Sequence, residues 1–270
     1  MCDVLGVGRT SYYDWLKMQL SLRAIENQCL SSKIKEIFIE SRCTYGTRRI
    51  RKFLLNLSFS ISRRRIKKLM KQQNLVCKTK RKFKITTDSK HQLEIAPNIL
   101  NREFQAAEPD QKYVGDITYI WTIEGWVYLA VVIDLFSRKV VGWSIKDHMK
   151  ASLVNDALLM AIWHRKPKGG LLWHTDRDSQ YASESHKKIL KEHQIIQSMS
   201  RKGNCWDNAV AESFFHTLKT EFSHHVNFET KEEARQMLFE YIEVFYNRKR
   251  MHSANNYCSP VEYEQIKKVS

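Results

Sequence analysis

The chain lacks most features of a membrane, secreted or zinc-binding protein. Its apolar run at residues 127–133 is far shorter than the ~20 residues a membrane-crossing helix needs. The N-terminal stretch MCDVLGVGRTSYYDW has no charged-then-apolar leader pattern, so a cytoplasmic protein is expected, with no membrane partner. The six cysteines (Cys2, Cys29, Cys43, Cys77, Cys205, Cys258) include no CxxC pair, which argues against a zinc site or a disulfide frame and for free thiols. There is no internal repeat and no low-complexity tract. Acidic residues are scarce in one region only: residues 1–104 hold 23 Lys/Arg against 8 Asp/Glu, whereas residues 105–270 hold 22 against 21. Nearly all of the net charge of +16 therefore sits in the first third, as in a module that binds a polyanion.

At 270 residues and 43% hydrophobic composition, the chain can bury a sizeable core and is long enough for two domains. After a Tyr12-Tyr13-Asp14-Trp15 cluster and a polar helical stretch (residues 1–29), residues 30–75 read as three short helices. The first starts at Ser32 and buries Ile34, Ile37 and Phe38. The second follows Tyr45-Gly46 and buries Ile50, Phe53 and Leu54. The third is capped by Ser62, buries Ile66, Leu69 and Met70, and turns Arg63, Arg64, Arg65, Lys67, Lys68 and Lys71 mostly outward. Such a unit resembles a helix-turn-helix domain, here bounded at 30–84, whose third element would lie along DNA. A basic run at 78–84 and a linker at 85–112 with some extended structure complete the front part.

From Tyr113 the character changes. Residues 114–121, 126–133 and 139–145 read as three consecutive strands, with Glu124-Gly125 and Phe136-Ser137 as turns. A helix at 151–164, a strand at 171–174, a helix from the Ser183 cap to about His193, and a short strand at 195–197 follow. The periodicity alone gives an α/β class. A last helix at 229–246 carries a Thr230/Glu233 capping box and a core stripe of Ala234, Met237, Leu238, Tyr241, Ile242 and Phe245. Residues 246–253, including Arg248, Arg250 and His252, form a basic and aromatic segment suited to phosphates or bases.

Three acidic residues stand out: Asp116 inside a strand, Asp176 directly after one, and Glu212 near the start of a helix opened by Asp207-Asn208. Each could reach one shared pocket, and three carboxylates are the donor set that hard divalent cations prefer. At about 100° per residue, Val210, Ala211, Phe214, Phe215, Leu218 and Phe222 span roughly 140° of the Glu212 helix. Glu212, Lys219 and His216 lie outside that arc, so core and chemistry occupy different faces. Singly, each acid has an ordinary explanation as a polar strand, turn or solvated helix residue. Asp134, Asp207 and Asn208 read as turn and cap residues.

The segments VGDITYIWTIEGWVYLAVVIDLFSRKVVGWS (114–144), HTDRDSQYAS (174–183) and RKGNCWDNAVAESFFHTLKTE (201–221) closely resemble the OrfB transposases of bacterial insertion sequences, which share a catalytic core with retroviral integrases. The ending YNRKRMHSANNYCSPVEYE (246–264) and the front stretch IKEIFIESRCTYGTRRI (34–50) are similar to the same family, so the resemblance spans nearly the whole chain. It implies a ribonuclease-H-like core at 113–225, a mixed five-stranded sheet flanked by helices, completed by 226–270 and preceded by the helix-turn-helix-like domain. It also implies end cleavage and 3′-OH strand transfer with two Mg²⁺ ions, for which Mn²⁺ would substitute, held by Asp116 across both sites, Asp176 on one and Glu212 on the other. Water would attack in cleavage and the freed 3′-OH in joining. Lys219 and His216 would meet the DNA.

Implied partners are transposon terminal repeats, target DNA, further copies of the chain on those ends, and an OrfA protein or fusion. Bound to DNA, the protein would sit on the bacterial nucleoid. Three positions depart from the family pattern: Asp178 for a usual glycine, Tyr113 for a tryptophan, and Asn255-Asn256 for Leu-Gly. Alternatives are a ribonuclease-H-type nuclease on RNA–DNA hybrids and a DNA-binding relic without activity. A zinc-dependent integrase is disfavoured, because His91 is the only histidine before residue 113.

Overall fold

The computed structural model describes residues 2, 4–78 and 94–269. The expected basic run beyond residue 78 and the linker residues 85–93, with His91, lie outside the described residues. The chain divides into two compact units, Met1–Cys77 and Lys78–Ser270, so the segment expected to stand apart at 1–29 belongs with the helices that follow it.

In the first unit, α1 (Arg9–Lys17) buries no side chain, whereas α2 (Leu22–Glu40), α3 (Thr47–Asn56) and α4 (Arg63–Gln72) pack together. Helix α2 begins ten residues before the expected Ser32 start. Ser21 is the actual cap, its Oγ accepting from the Ala24 amide at 3.2 Å, while the Ser32 hydroxyl donates back to the Gln28 carbonyl at 3.3 Å inside the helix. A serine before an apolar stripe is thus ambiguous until the upstream turn is known. Helix α4 follows its expectation: Ser62 Oγ accepts from the Arg65 amide at 3.2 Å, and Ile66, Leu69 and Met70 are buried. They join Leu30, Ile34, Ile37, Phe38, Ile50 and Leu54 in the core, with Phe53 only partly covered.

The second unit is built on one sheet in the order β3-β2-β1-β4-β5. Strands β1 (Lys112–Thr122), β2 (Gly125–Asp134) and β3 (Val140–Lys146) form an antiparallel meander. Strands β4 (Leu172–Thr175) and β5 (Ile196–Met199) add in parallel beside β1. The apolar run that is too short for a membrane lies in β2, which is paired on both edges and buried on both faces. No helix among the described residues is long and apolar enough to cross a membrane.

One sheet face is covered by α5 (Ala151–Arg165) and α6 (Glu184–Glu192), with Leu158, Ala161, Trp173 and Leu190 in that core. The approach of α5 is close: a Cβ on Gly142 would lie 2.2 Å from the Ala157 carbonyl oxygen. The other face is covered by α7 (Ala209–Glu221) and α8 (Lys231–Phe239), whose Phe214, Leu218, Ala234 and Leu238 join Val131 and Ile133. Beyond Phe239 the helix widens into a π turn over Glu240–Tyr246, a form usually seen as a short bulge. A last helix, α9 (Pro260–Val269), follows. Thr230 caps α8 as expected, but Glu233 reaches back to the Glu229 amide (2.7 Å), one residue beyond the N-cap amide of the standard box.

The described part of the expected linker, residues 94–111, is not a free connection. Leu100 is fully buried, Ile95 and Phe104 pack against opposite cores, and the Ile99 and Leu100 amides donate to Ser198 Oγ on β5 at 2.9 and 3.1 Å. The second unit therefore starts well before the composition changes at Tyr113.

Candidate active site

Parallel pairing brings the first two acids together. Val114 of β1 lies opposite His174 of β4, and two residues further along each strand direction stand Asp116 and Asp176. Asp176 Oδ1 accepts from the Asp178 amide at 3.0 Å, an Asx turn that ends β4, and Asp116 Oδ1 accepts from the Ile117 amide at 2.7 Å. Gly115, just before Asp116, admits the Trp173 ring: a Cβ there would come within 2.1 Å of it.

Helix α7 supplies the third acid. Its entry is tied down by Asp207, which is fully buried and paired with Arg102 and Arg201, both at 2.8 Å, and with Asn98 at 2.9 Å. These cations hold the Asp207 carboxyl well below the usual range. Asn208 makes no cap bond. Its Nδ2 donates to the Gly115 carbonyl at 3.2 Å, linking the start of the Glu212 helix to the residue before Asp116. Asp207 and Asn208 are therefore long-range ties, beyond the local turn and cap roles expected of them. Asp134 does make its expected turn, accepting from the Phe136 amide at 3.0 Å. It is also fully buried 3.7 Å from Arg165, and burial pushes its carboxyl up to about 7.

The pocket is electrostatically strained. Burial and then the Asp176 charge push Asp116 well above the carboxylate range, with Asp178 and Glu212 adding to the shift. Burial, Asp178 and Glu212 push Asp176 up to about 7. Glu212, at the solvent edge, is raised by partial burial. Buried Tyr181 forms part of the floor, its phenol raised by burial and by the aspartates at 116, 176 and 178. Among the described residues no three His, Cys, Asp or Glu side chains already converge tightly enough to clasp one ion. The acids share a neighbourhood, the Glu212 charge acts on both aspartates, and all are hard oxygen donors, the chemistry a divalent cation fits.

The expected DNA-contacting residues separate into two groups. Lys219, two turns beyond Glu212, has Nζ 5.0 Å from the centroid of the Tyr119 ring. Burial lowers its pKa, against the opposing pull of Asp116. His216, Arg63, Arg64, Lys67, Lys68 and Arg248 are exposed. Arg65 is tied to α2 instead, with Nη2 2.7 Å from Glu26 and Nε 2.9 Å from Asn27. Arg250 is 4% exposed and grips Glu221 through two bonds of 2.7 Å. His252 is half-buried, its ring edge-on to Tyr246 and its backbone bonded to Cys258 and Tyr257. Arg65 and Arg250 are thus engaged by internal partners, and His252 sets its ring against Tyr246. Sequence reasoning missed Tyr119, Tyr181 and the Asn208 link. The first two lay within the recognised motif strings, but nothing local marks a tyrosine as lining a pocket.

Comparison with known proteins agrees with this architecture. The Integrase core domain family matches residues 106–205, a second family of the same description matches 212–267, and the HTH-like domain family matches 24–83. Transposase InsF for insertion sequence IS3A of Escherichia coli (strain K12) is 42% identical over 98% of this chain and 92% of its own length. The insertion element IS600 uncharacterized 31 kDa protein of Shigella sonnei is 42% identical over 98% and 97%. In fold, a chain of the simian T-cell lymphotropic virus intasome is similar, with TM-score 0.50 and 17% identity over 82% of this chain and 70% of that one. An HTH-like helical unit, a mixed five-stranded integrase-type core and near-complete coverage at this identity place the chain among the insertion-sequence transposases of the IS3 family, as a polynucleotidyl transferase.

Proposed function

We propose that Asp116, Asp176 and Glu212 form the catalytic and metal-binding set for cleavage of transposon ends and their 3′-OH joining to target DNA. The observation that carries this is the β1–β4 register that sets Asp116 beside Asp176, with both carboxyls raised by burial and by neighbouring acids that include Glu212. A folded protein keeps such uncompensated carboxylates together at a cost, and functional sites are where that cost is tolerated. Asp116 would serve two Mg²⁺ or Mn²⁺ ions, Asp176 one of them and Glu212 the other. When bound, the ions activate the attacking oxygen and neutralise the charge on the departing 3′ oxygen. The residues of the chain orient and exclude. Asn208 holds the Glu212 helix against the Asp116 strand, and Lys219 offers a cation at the rim for a phosphate. No protein nucleophile is needed, since water attacks in cleavage and a DNA 3′-OH in joining. A strand-transfer assay with ends taken from the flanking DNA tests the reading: joined product in Mg²⁺ or Mn²⁺ supports it, and cleavage confined to ribonucleotides overturns it.

Metal loading has a pH signature. Asp176 titrates near 7 in the folded protein against 3.8 as its ordinary value, so the native state binds more protons than the unfolded chain between those limits. Stability of the metal-free protein should therefore fall as pH rises through 7. The buried His174 and His186, lowered to about 4, work in the opposite direction, but only below their ordinary value of 6.5. Melting curves from pH 6.5 to 8.5 should show a falling Tm without divalent metal and a flatter one with Mg²⁺. Identical curves with and without the ion would count against the ligand assignment.

DNA binding by the first unit would run along the exposed face of α4. With Arg63, Arg64, Lys67 and Lys68 all changed to alanine, the slope of log affinity against log salt should become shallower by ~0.9 for each phosphate no longer neutralised. An unchanged slope removes α4 from the interface. Self-association on DNA ends, and contact with an OrfA protein or fusion, belong to the same proposal. The exposed Leu5, Tyr13, Trp15 and Leu16 around α1 support such a contact.

A further inference from the structure

We propose that the tip of the β1–β2 hairpin is a stacking platform for an unpaired nucleobase of the DNA substrate, a reading that rests on DNA ends reaching the acidic pocket. Strand alternation sets Tyr119 and Trp121 on one face of β1, and the register puts Tyr128 and Trp126 opposite them on β2. Tyr119 meets Trp126 edge-on with ring centroids 4.9 Å apart, and Trp121 meets Trp126 edge-on at 4.8 Å. Such edge-to-face pairs hold the indoles in place. Further along this face, Ile117 and Ala130 are covered within the α5 core. At the tip none of the described residues covers it: Trp121 is 56% exposed, Trp126 43% and Ile123 73%.

The tip is nonetheless fixed. Thr122 Oγ1 donates to the Gly125 carbonyl at 2.7 Å, the Ile123 amide to the Phe228 carbonyl at 3.0 Å, and the Lys231 amide to Glu124 Oε2 at 2.8 Å. An ordered, bare aromatic face calls for an occupant.

Two observations select a base. Lys219 stands 5.0 Å from the Tyr119 ring centroid while the Asp116 charge acts on its ammonium, so one cation links the edge of the aromatic cluster to the acidic pocket. Aromatic rings beside a cation are the combination that holds base and phosphate of one nucleotide. The area also fits. A fully covered aromatic side chain buries about 150–250 Å², so two half-exposed indoles offer on the order of 200 Å². A stable interface with a second copy of the chain needs about 800 Å² per partner. One base needs no more than the platform provides.

The test uses the full chain in EDTA and two duplexes, one ending in an unpaired 2-aminopurine and one with that base paired. The expected result is quenched fluorescence and roughly tenfold tighter binding of the unpaired end, the lower range of base–aromatic stacking. The double variant Trp121→Ala/Trp126→Ala should lose both effects and keep its affinity for the paired duplex, and Trp121→Phe/Trp126→Phe should restore them. Equal wild-type binding of the two duplexes overturns the proposal, as does an equal loss on both in the alanine variant. So does an alanine variant that keeps the preference but falls from dimer to monomer, which would assign the face to a second copy. Asp116→Asn should keep the quenching while losing joining, so failure here is separable from failure of the catalytic assignment.

Discussion

Asp116→Asn should lower strand joining by about a thousandfold or more and, in the same protein, raise thermal stability without metal. The first effect follows from losing a ligand shared by both ions, where several kcal/mol of transition-state stabilisation is at stake and each 1.36 kcal/mol is a factor of ten. The second follows from the pocket itself. Asp116 is half-buried beside Asp176, Asp178 and Glu212, all of which disfavour its charged form, and asparagine keeps the shape without the charge. Because the folded pKa of Asp116 is raised, the native state retains its proton at low pH, so the gain should be present at pH 8 and shrink toward pH 5. Joining assays and melting curves on one preparation check both. Undiminished joining would remove Asp116 from the chemistry, and a lower Tm at pH 8 would show that its charge is compensated.

Arg250→Ala should be the most destabilising change in the basic tail. Its guanidinium and the Glu221 carboxylate are 5% and 12% exposed and 2.7 Å apart. Breaking a buried pair by removing one partner costs about 3–5 kcal/mol, because the other charge stays uncompensated. In a unit of this size that corresponds to a Tm lower by roughly 10 °C. Arg248→Ala, two residues away and exposed, should leave Tm unchanged and weaken DNA binding. Thermal melting of the two variants decides between packing and DNA-contact roles for this stretch. Equal Tm values would return Arg250 to the DNA-contact group.

Legibility followed the range of the interaction. The Ser62 and Ser183 caps act over three residues, and both accept the expected amide. Strand limits shifted by two residues at most, since alternation and turn chemistry are local too. The core face of α7 was readable because 3.6-residue periodicity needs no partner: Ala211, Phe214, Phe215 and Leu218 are all buried. Apart from the α2 start, whose Ser21 cap is local, the misread features involve distant partners. Asp207 is anchored by Arg102, Asn208 bonds Gly115, Arg65 pairs with Glu26, and Arg250 grips Glu221. No window along the chain contains both ends of any of these ties. Segment 94–111 was misplaced for the same reason: polar, Pro-containing sequence reads as a linker until Ser198 of β5 takes up its amides.

By itself, the order of residues settled the five strands and most of the helices, where the excess positive charge lies, and that three acids sit on a strand, after a strand and on a helix. Periodicity, caps and motif strings suffice for that, because each is a property of neighbours. The tertiary structure decided which charges stay available. It drew Asp116 and Asp176 together through the β1–β4 register, committed Arg65 and Arg250 to internal partners, and left two indoles bare at the hairpin tip. Those outcomes depend on desolvation and on the meeting of distant groups, and only chain closure fixes either.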